Sequence, residues 1–488
     1  MAARQDSDHL AWDQNDDTYD AAIAHIQETS ISRIADFAGK IYGTPVSLVN
    51  KVTAGGFNVL YPLRVEGSST NAILRMPLPN LYAFPTETKL AETATTRYLV
   101  EHTQLPVPSV YHHGIDPKFG SFMILQDLQS QRDMSDALGG PQEDPSERPI
   151  LDPDIPVDRL RTLYLKLARC VVQLAQPTFP RIGALFETRP KVYEVSERPI
   201  TLNMNNMVQM SNIPRSIFPP KGTTYATADE WYVQLAEMQL ATLLFQHNDI
   251  VSSEDDCRTK YVARQLFRRL AKQGRLSSLG FAEDTWSGRS QCAGAYFRPA
   301  NILVDEEADE KILGVIDWEF AYVAPTQFAL DPPWWLLLEA PEKWEDGLED
   351  WSGHYDNRLG TWLAAMEEAE EAGDELGGLG SGAPRLSAYM RESWETGRFW
   401  LNYAARKSWA FDAIYWTYLD EQFFGERTAE DDVSEEELWK TRVHLLTQEE
   451  REGMEPLVHI KMEESKHRAL VEWDPAEARQ RLSSFLFD

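Results

Sequence analysis

The chain has 488 residues, enough for two or three domains or for one large two-lobed enzyme with a full hydrophobic core. Its 47 Lys and Arg against 77 Asp and Glu give a net charge of −30, which repels phosphate backbones and anionic headgroups and argues against nucleic acid or a membrane as partner. The three cysteines, Cys170, Cys257 and Cys292, have neither the number nor the spacing of a disulfide framework or a zinc site. The first residues lack the apolar core of a signal peptide, and no stretch approaches the roughly 20 apolar residues of a spanning helix, so a soluble, cytoplasmic protein is expected. So acidic a chain can draw a cationic substrate into a cleft, or its charge can lie in solvated runs such as Glu430 to Glu437.

Residues 1–44 read as an entry segment: a polar start, then an amphipathic helical pattern through Tyr19, Ala22, Ile23, Ile26, Ile34 and Phe37, with a break near Thr29. From Pro45 the pattern changes to short β-rich runs at 48–53, 57–65 and 72–76, punctuated by Gly55-Gly56 and Gly67-Ser-Ser, which predicts a twisted antiparallel sheet. A helix follows over 86–102, then a strand at 122–125, closing a small lobe over 45–128. The Pro- and Asp-rich stretch within 129–158 reads as an excursion, and 159–425 as a mainly helical large lobe with helices at 160–174, 228–250, 257–271, 354–372 and 386–406. Residues 426–488 form an acidic C-terminal extension.

Within the helical half, Ile302-Leu-Val304 and Ile312 to Ile316 flank an acidic turn, the pattern of a β-hairpin with Leu303 opposite Val315. That pairing puts Asn301 and Asp317 at one open end, where an amide and a carboxylate can supply oxygen ligands to Mg2+; the plain alternative is an Asn turn and a strand-ending Asp. Upstream, Gly55 and Gly56 would let backbone approach a phosphate, or simply make a hairpin turn. Arg75 on the third strand and Glu92 on the next helix can form an ion pair, or two solvated charges. The aromatic-rich stretch from Trp394 to Tyr418 and the Trp334-Trp335 pair can wall an acceptor pocket or pack a helical core.

The order of these parts, a Gly loop, a strand cation, a helix Glu, an extended Gln126-Asp-Leu128, then Pro-x-Asn and a strand-end Asp, is that of kinase-type phosphoryl-transfer enzymes. Over roughly residues 50–420 the sequence resembles the aminoglycoside phosphotransferase and choline kinase family, most of all its fungal branch. The matching strings include Arg75-Met-Pro-Leu-Pro79, Pro106-Val-Pro108, Arg198-Pro-Ile-Thr-Leu-Asn-Met204, Phe297-Arg-Pro-Ala-Asn-Ile302, Val315-Ile-Asp-Trp-Glu-Phe320 and Pro332-Pro-Trp-Trp-Leu336. The resemblance implies a protein-kinase-like two-lobed α+β fold and ATP-dependent phosphorylation of a small-molecule hydroxyl. Gly55 and Gly56 would lie over the phosphates, Arg75 would meet them, Glu92 would steady Arg75, Gln126 to Leu128 would face the adenine, and Asn301 and Asp317 would hold Mg2+.

Two positions depart from the family pattern. The catalytic Asp stands five residues ahead of the Asn, often with a His two residues before it; here those positions hold Tyr296 and Gly294. A phenol with a reference pKa near 10 is a poor proton acceptor at neutral pH. Four readings follow from this: a nucleotide-binding pseudokinase that regulates or scaffolds; a slow or rewired phosphotransferase with Glu319, Asp331 or Asp284 as substitute base; an enzyme moving another part of the nucleotide; and a kinase-shaped fold without nucleotide.

Overall fold

The computed structural model describes residues 8–28, 31–49, 51–130, 132–141, 149–279, 290–293, 297–305, 309–375, 385–427 and 433–487. The fold is α+β, with an antiparallel sheet in the N-terminal part and helices making up most of the rest. Helices α1 (His9–Glu28) and α2 (Ile31–Tyr42) lead into strands β1 (Val46–Leu48), β2 (Thr53–Ala54), β3 (Asn58–Val65) and β4 (Asn71–Pro77). Helix α3 (Pro85–His102) and strands β5 (Val110–Asp116) and β6 (Gly120–Gln126) complete the small lobe, whose sheet runs β1-β3-β4-β6-β5 with β2 also on β3.

Alternation explains this sheet. On β3, Val59, Tyr61, Leu63 and Val65 are buried while Arg64 is exposed, and Val59, Tyr61 and Leu63 join Phe37, Ala38 and Ile34 from α2 in one apolar cluster. Each such side chain contributes roughly 1.5–3 kcal/mol of burial. Strand β5 is absent from the sequence expectation because Val110-Tyr-His-His-Gly-Ile-Asp116 alternates half-buried and exposed residues at the sheet edge, leaving no apolar run to read.

The large lobe opens with β7 (Arg132–Asp133) and α4 (Met134–Leu138), whose first turn is closed by a reciprocal capping box between Asp133 and Asp136. Next come α5 (Val157–Leu174), β8 (Thr178–Phe179), the hairpin β9 (Ala184–Arg189) and β10 (Val192–Glu197), and helices α6 (Leu202–Ser211), α7 (Ala228–Phe245) and α8 (Glu254–Lys272). Helix α5 buries Leu160, Leu163, Tyr164, Leu167 and Val172 on one face, the three-four spacing that drives an amphipathic helix into a core. Strands β11 (Ser290–Ala293), β12 (Ile302–Val304), β13 (Ile312–Val315) and β14 (Tyr322–Pro325) follow, then α9 (Thr326–Ala329), α10 (Gly347–Glu375), α11 (Leu386–Glu395) and α12 (Arg398–Arg406).

The hairpin of β12 and β13 forms one residue out from the expected register, with Ile302 opposite Val315 and Leu303 opposite Gly314, and β7 pairs along its other edge. The expected single helix over 386–406 is two, divided at Gly397, whose φ of +74° is left-handed backbone that only glycine adopts cheaply. The aromatic stretch is mostly core: Trp351 and Tyr355 of α10 pack against Trp394, Phe399 and Trp400. Residues after 433 fold back on the large lobe through helices Gln448–Glu464 and Pro475–Ser483. Leu457 and Ala478 are fully buried, and Phe485 O accepts from Gln265 Nε2. Among the described residues, no helix is long and apolar enough to cross a membrane.

Candidate functional site

At the junction of the lobes, charged side chains from β4, α3 and the segment after β13 meet in a nearly dry cluster. Arg75, opposite Leu60 and Met123 in the sheet, carries its guanidinium to Glu92 of α3, to Asp317 Oδ1 at 2.6 Å and to Glu319 Oε2 at 3.2 Å. Burial alone would lower the pKa of Arg75; the carboxylates of Glu92, Glu319 and Asp317 more than offset it and hold the cation well above its usual value. The sequence-based ion pair of Arg75 and Glu92 therefore exists, and the strand-end Asp317 joins it.

Three further residues complete the cluster, none of them singled out from sequence. Lys89, one helical turn before Glu92, is 3% exposed and donates to Glu92 Oε2 at 2.6 Å and to Asn58 Oδ1 at 3.1 Å. Asn58 uses its other end as well, donating Nδ2 to Glu319 Oε2 at 3.0 Å, so one amide bridges the small lobe to the segment after β13. Tyr82 donates its hydroxyl to the same oxygen at 2.5 Å, and burial together with Glu319 pushes its own pKa well up. Two cations thus face three carboxylates, leaving the cluster one negative charge.

The segment Asp317-Trp-Glu-Phe320 is locally strained. Asp317 has φ +66° and Phe320 φ +59°, left-handed backbone that costs a non-glycine residue on the order of 1 kcal/mol or more. Phe320 is held there by rings: Phe57, from the loop before β3, lies 5.5 Å away edge-on, and Tyr82 stacks at 5.9 Å. The turn leaves Asp317 with a side chain 24% exposed, the most open of the three acids, while Glu319 and Glu92 are nearly closed off.

The oxygens are suited to a hard divalent cation. Glu92, Asp317 and Glu319 each bring a carboxylate oxygen within 4.8 Å of the other two, and Asn301 lies at the adjoining strand end, its backbone oxygen accepting from Ile316 N at 2.9 Å. The other expected positions lie on neighbouring elements of the fold. Gly55 donates its N–H to Asn58 O at 2.8 Å in the β2–β3 turn; neither Gly55 nor Gly56 has positive φ, and a methyl at Gly56 would meet no atom within 4 Å, so the loop is open above. Gln126 ends β6 opposite Ala72, and Leu128 packs its Cδ1 against Gly314 of β13. Tyr296 and Gly294 lie outside the described residues, as does Asp284.

Two of the substitute bases read from sequence are enclosed. Glu319 Oε2 is taken by Asn58, Tyr82 and Arg75. Asp331, 7% exposed, accepts from Ser393 Oγ at 2.6 Å and from Asn402 Nδ2 at 2.8 and 3.0 Å, with Arg398 and Arg406 behind it. Both carboxylates are thus already engaged by partners inside the fold.

The lobes are also clamped beside the cluster. Arg198 grips Glu87 of α3 with two N–H groups, at 2.8 and 3.0 Å, and lies over the Phe84 ring; Asn205 of α6 accepts from Ala83 N at 2.8 Å. The string from Arg198 to Met204 noticed in the sequence is therefore an interlobe fastening. A cavity of about 270 Å3 bordered by Tyr42, Val65 and Tyr111 lies at the far end of the small-lobe sheet, away from these groups.

No protein-family model matches the chain, and no curated protein matches it. Among solved structures, the chain is similar to aminoglycoside phosphotransferase APH(4)-Ia in a ternary complex with ADP and hygromycin B (14% identity, 87% of this chain and 98% of that one, TM-score 0.38). It is also similar to an ethanolamine kinase from Plasmodium vivax (10%, 83% and 84%, TM-score 0.37), and to spectinomycin phosphotransferase APH(9)-Ia with ADP and spectinomycin (10%, 90% and 99%, TM-score 0.33). At TM-scores this low the likenesses carry no weight of their own, and the functional reading stands on the residues of the cleft.

Proposed function

We propose that the chain is a kinase-like phosphotransferase that binds Mg-ATP between its lobes and acts on a small-molecule hydroxyl, with impaired or rewired proton removal because Tyr296 stands at the base position. The observation that carries this reading is the buried cluster of Arg75, Lys89, Glu92, Asp317 and Glu319, where a strand cation steadied by a helix carboxylate meets the strained, partly open Asp317. Asp317 and Asn301 would hold Mg2+, and Arg75 would turn from Asp317 to phosphate oxygens, with Lys89 and Glu92 keeping its stem in place. The bound ion would supply charge neutralisation across the phosphates during transfer. Gly55 and Gly56 would cover the phosphates, and Gln126 to Leu128 would border the base.

General base catalysis typically contributes about 100- to 10,000-fold, and phosphoryl transfer leans mainly on positioning, so replacing the Asp by Tyr296 slows turnover without ending it. One observation favours the second reading, a nucleotide-binding pseudokinase: Glu319 and Asp331, two of the candidate substitute bases, are both engaged by buried partners. A thermal-shift titration of the full chain with Mg-ATP, and with ATP plus chelator, tests both. A stabilisation that requires magnesium and disappears in Asp317→Ala is expected, since ligand at about 100 times Kd adds about 2.7 kcal/mol. ADP release then separates phosphotransferase from pseudokinase; absence of any shift at millimolar nucleotide overturns both.

A further inference from the structure

The small lobe carries a hollow of its own, the cavity of about 270 Å3 at the far end of its sheet. Its floor is apolar, Val65 of β3 and Ala72 of β4, both buried. Its walls are polar: Tyr42 at the end of α2, Ser68 and Thr70 in the turn between β3 and β4, and Tyr111 and His112 of β5.

The strand that supplies the last two is built irregularly. Pairing of β5 with β6 passes from Val110 opposite Leu125 to His112 opposite Ile124, so Tyr111 is an extra residue, a bulge of the kind that re-aims a side chain. Successive residues of a regular strand turn to opposite faces, whereas here the neighbours Tyr111 and His112 border the same hollow. Among the described residues, neither phenol hydroxyl nor the His112 imidazole has a hydrogen-bond partner. His112 meets the Tyr42 ring edge-on at 4.8 Å, and burial, with Tyr111 beside it, pushes the Tyr42 phenol up. The turn is fixed by its own hydroxyl: Ser68 Oγ donates to Thr70 O at 3.0 Å and accepts from Thr70 N at 3.2 Å.

Size and charge narrow what can bind. Ligand pockets run from about 300 to 1,000 Å3, so this one suits a single ring with its substituents and is small for a nucleotide. No Lys, Arg, Asp or Glu borders it among the described residues, so a charged ligand would shed water there without finding a counter-charge. Hydroxyls and rings above an apolar floor match a compound that presents C–H and O–H groups together. We propose that this hollow binds a neutral cyclic polyol or monosaccharide, as a site separate from the cleft.

Binding there would be felt at the connection between the lobes. Ala72 stands opposite Gln126, Asn71 O accepts from Asp127 N at 3.2 Å, and Ser109 O, two residues before Tyr111, accepts from Gln126 N at 2.9 Å. A ligand drawing β5 and the β3–β4 turn together acts on the segment that, on the phosphotransferase reading, borders the base, and so alters nucleotide affinity. The site itself does not depend on that reading; its coupling to the cleft does.

Isothermal titration of the full chain with myo-inositol and D-glucose tests the site, with D-glucuronate as a charged control of similar size. Saturable binding of a neutral probe is expected, with D-glucuronate weaker by about fivefold or more. Tyr42→Phe combined with Tyr111→Phe removes two hydroxyls that have no partner in the fold, so the double variant should melt as the wild type does and bind the neutral probe about fivefold or more weakly. Failure of both neutral probes to bind at millimolar concentration, equal binding of D-glucuronate, or unchanged affinity in the double variant overturns the proposal. A saturating neutral probe should also change Mg-ADP affinity by about twofold or more, and Mg-ADP should change the probe's affinity by the same factor. An unchanged Mg-ADP affinity overturns the coupling. Saturable probe binding without any Mg-ADP binding upholds the site and brings down the phosphotransferase reading.

Discussion

Asp331 is an acid kept from water, and its proton is the easiest single group in the large lobe to follow. Burial raises its pKa from the usual carboxylate range to about 6, against Arg406, Arg398, Ser393 and Asn402, which lower it. The folded chain then holds the proton more tightly than the unfolded chain does. Asp331 contributes most to stability below about pH 4, and that contribution is lost as pH rises towards 6, by roughly 3 kcal/mol at 1.36 kcal/mol per pKa unit. Urea unfolding of wild type and Asp331→Asn across pH 4 to 8 checks this: the stability of wild type relative to the variant should fall between pH 4 and 6 and stay level above 7. Arg75, Glu92 and Asp317 could be picked from the sequence because each falls in a recognisable element, a strand, the helix after it and a strand end, in the order of a kinase-type fold. Lys89 and Asn58 could not, since a lysine three residues before a glutamate reads as a solvated helix pair and an asparagine after a Gly-Gly turn reads as part of the turn. What made them part of a site was burial, which one sequence does not display.

At the scale of elements, the β12–β13 hairpin carries the most consequence, since both Asn301 and Asp317 hang from it. Its inner strand passes under Leu128, and a Cβ at Gly314 would lie 2.1 Å from Leu128 Cδ1 and 3.5 Å from Pro106 O. Gly314→Ala must therefore force the Leu128 side chain out of its present position. Overpacking of this kind costs about 1–3 kcal/mol, so the variant should melt several degrees lower and, on the proposed reading, bind Mg-ATP more weakly, which the same thermal titration measures. The hairpin was legible because two apolar runs bracket an acidic turn, but its register was not, because Ile302, Leu303 and Val304 offer three neighbouring apolar choices and only the bulge between Leu303 and Val304 decides among them. The β9–β10 hairpin gave no signal at all: Glu187, Glu194 and Glu197 interrupt its apolar pattern, and it is stabilised by packing Leu185 and Val195 beneath Tyr98 rather than by a continuous run.

For the whole molecule, the two ends of the chain matter more than their polar sequences suggest. Helix α1 begins on the large lobe, where Asp8 accepts from Asn248 N and Nδ2 and from Ala11 N, and His9 N donates to Asp249. Asn248 in turn exchanges hydrogen bonds with Ala469 at 3.0 and 3.1 Å, and Asp249 pairs with Arg468. The far end of α1 puts Ala22, Tyr19, Ile23 and Ile26 into the small-lobe core. Asp8→Ala leaves the buried Asn248 amide short of its partners, at a cost of about 1–3 kcal/mol. Hydrogen exchange should show residues 8–12, 247–250 and 467–470 losing protection together, while the small-lobe sheet keeps its own; protection lost at residues 8–12 alone would mean the three segments are not coupled.

That helix also limits how the lobes can part. The small lobe is joined to the large one by the chain running on from Gln126 to Leu128 and again, from the other side, by α1 with its foot at Asn248. A body pinned at one point can swing in any direction, whereas one pinned at two can turn only about the line joining them. With the Arg198–Glu87, Asn205–Ala83, Asn58–Glu319 and Arg75–Asp317 contacts released, the two joins that remain would reduce opening of the cleft to a single rotation, and every molecule that enters would do so through the same arc.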